Sequence, residues 1–496
     1  MKYTAALGAL AMSLVACGDA EMFIPDVNLA SSVAVTTWFG DRIVSVAVVG
    51  DLDGDGLDDA IITSGLRVHG EDAQAAVYSY IAYGGPPAGE VDVATLPALV
   101  SEARVISAAA AGDVDGDGFA DVLLSISAQT ACAEGAPEAA QHGGVYLLYG
   151  SATRLTGRLD ASVAAAYLRD PLPCTSTGAE SVPLGDIDGD GLADFAITSL
   201  PGFNGGLPFI DTHPLFVFYG AAARHSGTVD VTAAADATIT ASNLQAFRAG
   251  DIDGDGRSDF FLIHNAFDGA ALVNRDRIAL VLGSATRLAG EVAPAGLAAA
   301  TFTAEHANAT GGYALGDLDG DGRDDVVFNL GPENGNGLNH ALLFYGREGG
   351  FTGTIDLATA DARATSKHVF GVMTFAAGDL DGDGSRDLVV ADPSVAGFNG
   401  GVHVLTGANA TGRLSGEIDF GTLAATYVGM TQLIDCPDGP STCPQAQVFG
   451  AAMGIGDLAG NGRADVLVAA PVLDGGDDLI QLSRVFQMSF PPVSNP

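Results

Sequence analysis

The chain has 496 residues, with 61 acidic side chains against 21 basic ones and a formal charge of −40. Apolar residues make up 48% and mean hydropathy is positive, so the acidity is not that of a disordered chain. Lysine occurs only as Lys2 and Lys367, neither after a glycine, and no basic cluster exists, which excludes a P-loop and argues against nucleic-acid binding.

Residues 1–17 predict a signal peptide. Lys2 gives a positive start, and Thr4–Ala16 is mostly apolar but shorter than the roughly 20 residues that a bilayer span needs. The run ends in Leu14-Val15-Ala16-Cys17, which resembles the bacterial lipobox. That resemblance implies that Cys17 is lipidated and becomes the first mature residue, with a short tether over 18–22. The expected location is the bacterial cell envelope, at the outer membrane or cell surface, with the membrane touched only through the lipid. Export also permits disulfides among the remaining cysteines.

One motif then recurs seven times. Six copies carry four aspartates each: Asp51, Asp53, Asp55 and Asp59; Asp113, Asp115, Asp117 and Asp121; Asp186, Asp188, Asp190 and Asp194. Next come Asp251, Asp253, Asp255 and Asp259; Asp317, Asp319, Asp321 and Asp325; and Asp379, Asp381, Asp383 and Asp387. The seventh keeps only Asp457 and Asp465, with Ala459 and Asn461 between them. The starts lie 62 residues apart at the closest (51 to 113) and 78 at the widest (379 to 457). Such a period predicts a repeat architecture and overrules a domain count taken from length.

Carboxylates at positions 1, 3, 5 and 9, with glycine at 6 for a sharp turn, suit a hard cation such as Ca²⁺. An EF-hand would need glutamate at position 12 and flanking helices. Position 12 is instead apolar, as at Ile62, Leu124, Ile197 and Leu262, inside short runs that read as buried strands. Asp-Gly pairs also make plain hairpin turns. Four carboxylates in one turn, however, repel one another unless a cation joins them. About six bound Ca²⁺ are expected, the seventh loop being weak or empty because two ligand charges are missing.

After each loop and its strand comes a Gly- or Pro-containing turn, then a strand ending before glycine, as in Val145-Tyr-Leu-Leu-Tyr-Gly150. A Gly-X-Ile/Val-Asp segment follows, as in Gly227-Thr-Val-Asp230. Four strands per repeat make one propeller blade. The pattern resembles the FG-GAP repeat family, the units of the integrin α-subunit β-propeller. Phe39-Gly40, Phe370-Gly371 and Phe449-Gly450 each stand shortly before a loop. The resemblance implies an all-β, seven-bladed β-propeller over 23–496 with a calcium loop in each blade, blade seven degenerate. Counting residues around the ring predicts that the N-terminal segment Ile24–Leu29 closes blade seven, which would remove an open sheet edge. Blade topology puts Cys132 and Cys174 on one face and Cys436 and Cys443 in one loop, so disulfides 132–174 and 436–443 are expected, against free thiols.

No His-Glu-X-X-His zinc pattern and no Gly-X-Ser-X-Gly elbow occur. Two functions stay open. One is a surface-tethered, monomeric binding or adhesion propeller for a protein or glycan. The other is an envelope polysaccharide lyase or hydrolase working in the central funnel. Propellers support both, and the absence of a catalytic motif favours binding.

Overall fold

A computed structural model describes residues 34–41, 43–64, 77–86, 89–101, 104–127, 142–161, 164–171, 176–200, 213–241, 244–268, 273–303, 307–332, 339–365, 373–392, 400–406, 413–419, 425–428, 452–470 and 482–490. Those residues form seven sheets in a ring. Blade one runs Ile43–Gly50, Asp59–Ser64, Val77–Ala82 and Ala98–Ser101, each strand antiparallel to the one before. The other blades repeat that order. Their first strands begin at Arg104, Ser176, Gln245, Ala307, Thr374 and Ala452. First strands of consecutive blades pack against one another right round the ring, and Ala452–Gly456 returns to Ile43–Gly50.

The ring is closed within one sheet. Ala34–Asp41 lies antiparallel to Leu482–Ser489, with Ala34 opposite Ser489 and Asp41 opposite Leu482. It is the fourth strand of blade seven. Ile24–Leu29, the segment expected in that role, lies outside the described residues, as do the signal sequence and lipobox.

The Gly-X-Ile/Val-Asp segments take a different place from the one expected. Each forms a short strand parallel to the outer strand of the preceding blade, not the fourth strand of its own. Gly227–Asp230 pairs with Ala166–Arg169, and Glu90–Asp92 with the closing strand. Six sheets therefore have five strands among the described residues. The true fourth strand follows a one-turn helix that the segment's aspartate caps: Asp92 Oδ1 accepts from Ala94 N, and Asp356 Oδ1 from Ala358 N, both at 2.9 Å.

The core is divided among the interfaces between blades. Seven apolar clusters each join residues of two neighbouring blades, the last uniting blades seven and one through Leu467, Val485, Ile43, Ile62 and Trp38. The second strands, such as Asp59–Ser64 and Asp465–Ala470, are buried along their whole length, which is why their sequences are continuous apolar runs without alternation. Between blades four and five, Phe261, Phe302 and Phe328 meet with ring centroids 4.9 to 5.7 Å apart.

Candidate metal centre

Each aspartate loop joins the first and second strands of a blade. Position 2 anchors it: Leu52, Val114, Ile187, Ile252, Leu318, Leu380 and Leu458 are all buried. The glycine before position 1 sets the entry. Gly50 has φ +82°, and a Cβ there would approach the Ala120 Cβ of the next blade to 2.9 Å. The loops also tie blade to blade through their main chains: Ala120 N donates to Asp51 O, Ala193 N to Asp113 O, and Asp58 N to Asp457 O across the ring closure.

The carboxylates have distinct duties. In loop one Asp51 Oδ1 accepts from Gly54 N and Asp55 N at 2.7 and 3.1 Å, and its Oδ2 from Gly56 N at 2.8 Å. Asp53 Oδ1 accepts from Asp55 N, and Asp55 Oδ1 from Leu57 N. Asp59, wholly buried, takes Leu52 N on one oxygen and Gly84 N on the other, at 2.8 and 2.7 Å. The same bonds recur in the loops at 113, 186, 251 and 317. Position 9 was expected as a ligand alone; it also pins the loop to a glycine 21 to 29 residues later, just past the end of the third strand. Burial pushes Asp59, Asp121, Asp194, Asp259 and Asp325 up to about 7, against the opposing pull of the two N–H donors.

All 24 predicted aspartates lie within the described residues, and in five loops three of the four come together. In loops one, two, three and five, carboxylate oxygens from positions 1, 3 and 9 lie within 4.8 Å of one another. In loop four the three are Asp251, Asp253 and Asp255. An all-oxygen, multiply charged donor set of this kind fits a hard divalent cation. Loop seven folds the same turn without it. Asp457 accepts from Asn461 N and Gly462 N, Asn461 Oδ1 from Arg463 N, and Asp465 from Ala459 N and Gln487 Nε2. Positions 3 and 5 offer no carboxylate there.

The carboxylates are less naked than the sequence implies. Arg154 of blade two reaches back and places Nε on Asp53 Oδ2 and Nη2 on Asp55 Oδ2. Arg224 does the same to Asp115 and Asp117, Arg287 to Asp188 and Asp190, and Arg413 to Asp319 and Asp321. Each guanidinium lies 4.7 to 4.8 Å from the ring centroid of a tyrosine in the preceding blade: Tyr83, Tyr149, Tyr219 and Tyr345. The tyrosine hydroxyl in turn accepts from the main-chain N–H just after the arginine, as Leu155 N to Tyr83 Oη at 2.9 Å. These arginines were not foreseen. Their signal is a fixed offset: Gly150, Gly220 and Gly283 each stand four residues before one.

Cys17, Cys132, Cys174, Cys436 and Cys443 all lie outside the described residues.

Residues 317–390, from loop five into the second strand of blade six, match the family model described as FG-GAP-like repeat. No curated protein matches the sequence significantly. Among solved structures the chain is similar to one titled "COPII on membranes, outer coat vertex" and to "The structure of the COPII coat assembled on membranes". Both are 7% identical with a TM-score of 0.39 over 92% of this chain, covering 85% and 47% of the respective chains.

Proposed function

We propose that this FG-GAP β-propeller is a calcium-binding adhesion module, lipid-tethered to the bacterial envelope through Cys17, that takes a protein or glycan on the face away from its aspartate loops. One observation carries the reading: the repeated convergence of carboxylate oxygens at the same loop position in blade after blade. Asp51, Asp53, Asp55 and Asp59 and their counterparts in five further loops would hold Ca²⁺. The ion would supply fixed positive charge between side chains that otherwise repel, tying each loop's turn to its blade. Antiparallel strands put these loops at one end of every blade and the connections between second and third strands at the other. Those connections vary in length and composition from blade to blade, which suits ligand recognition on a scaffold held rigid by the ring. The test is a glycan array and a panel of envelope proteins probed with the purified chain, in calcium and in chelator. A ligand bound in calcium and released by chelator supports the reading. Calcium uptake with no ligand on either panel would leave a metal-binding propeller that is not an adhesin of this kind.

A further inference from the structure

In loops one, two, three and five, the Oδ2 atoms of positions 3 and 5 are the oxygens of the four repeated aspartates that take no main-chain N–H among the described residues. Those are the two oxygens that Arg154, Arg224, Arg287 and Arg413 grip. Arg287 Nη2 lies 2.6 Å from Asp190 Oδ2, and Arg413 Nη2 lies 2.8 Å from Asp321 Oδ2. The position-3 carboxylates beneath are nearly closed to water, with side-chain exposures of 2 to 7% at Asp115, Asp53, Asp188 and Asp319. A positive group is thus already seated on the charge that a divalent ion would need.

Loops four and six lack the clasp from the next blade, although loop four carries Arg257 of its own turn on Asp255 and Arg463 lies against Gly382 of loop six. Asp255 meets only Arg257 of its own loop, at 2.8 Å, and among the described residues no arginine nitrogen bonds to Asp253, Asp381 or Asp383. The blade-five arginine nearest in sequence position, Arg347, turns instead over Phe351 and towards Asp361.

We propose that Arg154, Arg224, Arg287 and Arg413 are the resident cations of loops one, two, three and five, and that external Ca²⁺ binds tightly only in loops four and six. This rests on the calcium reading above. A guanidinium that bridges two carboxylates, one nitrogen to each, makes charge-assisted contacts, and stacking on tyrosine adds to them. Calcium affinity follows the negative charge its ligands offer, and one guanidinium offsets one of the carboxylate charges in each clasped loop. The arginine side chains are 41 to 49% exposed, so a sufficient concentration of Ca²⁺ can displace them into water. The same arginines hold each loop to the next blade, so the ring keeps its interfaces when calcium is scarce.

The test is calorimetric calcium titration of the purified full chain, with melting curves in chelator. The parent should show two tight equivalents and four at least about tenfold weaker. Arg154→Gln and, independently, Arg224→Gln should each add one tight equivalent. Each should also lower Tm in chelator by about 2–4 °C, the shift expected for losing one such contact, and calcium should restore it. Arg347→Gln, whose side chain also stacks on an aromatic ring but pairs with Asp361 and with no loop aspartate, should change neither the stoichiometry nor its calcium dependence. Six equal sites in the parent, unchanged in both variants, would overturn the proposal. No binding heat in any variant would overturn the calcium reading instead, while a lower Tm of the arginine variants in chelator would still support the resident cations.

Discussion

Asp194 accepts Ile187 N at 2.8 Å and Gly220 N at 2.7 Å and has no exposed surface. Replacing it with alanine strands two buried N–H groups, each costing about 1–3 kcal/mol. Asp194→Ala should therefore lower stability by several kcal/mol even in chelator, measured by denaturant melts. Equal losses for Asp190→Ala, whose carboxylate is partly exposed, would argue against that assignment. In the core, Phe302→Ala should cost about 3–5 kcal/mol, because the ring is fully buried among Phe261, Phe328, Phe344 and Phe351. At this scale the sequence showed which residues form the loops. It did not show that Asp194 bonds to a glycine 26 positions away, since that depends on where the third strand ends. Nor did it show the arginine clasps, which reach across 92 to 109 residues.

Among the elements, the loop-to-strand transition was legible because a dense run of Asp and Gly passes abruptly into a fully apolar strand. The Gly-X-Ile/Val-Asp segment was recognisable as a strand but assigned to the wrong sheet. Its sequence alternates as a strand should, and nothing local says that its partner is the outer strand of the previous blade. Asp230 at its end now has a defined role, accepting from Thr232 N and Thr232 Oγ1. Asp230→Ala should cost about 0.5–2 kcal/mol as a lost cap, with no change in metal binding. A change in calcium stoichiometry on that substitution would contradict the division between capping and loop aspartates.

For the whole molecule, the seven-fold repeat could be counted from the spacing of the loops, but the count put the closing strand at Ile24–Leu29, ten residues too early. The closing strand itself lies at Ala34–Asp41, where Trp38 packs into the cluster between blades seven and one. Removing residues 34–41 would leave Leu482–Ser489 as an open edge and take Trp38 from the core. The shortened chain should lose cooperative melting or precipitate; one that melts like the parent would show that the ring does not need this strand. Interfaces between blades carry the apolar clusters, so damage at one should spread to its neighbours and not remain within a blade.

Whether the aspartate loops hold calcium, as proposed, can be seen in a crystal structure grown in millimolar Ca²⁺ with an anomalous difference map. Peaks should stand among the carboxylates of loops four and six at full occupancy, with weaker ones beside displaced arginines in loops one, two, three and five, and none at Asp457, where Ala459 and Asn461 remove the charge. A map with no peak in any loop, or a peak in loop seven equal to the rest, would contradict the proposal.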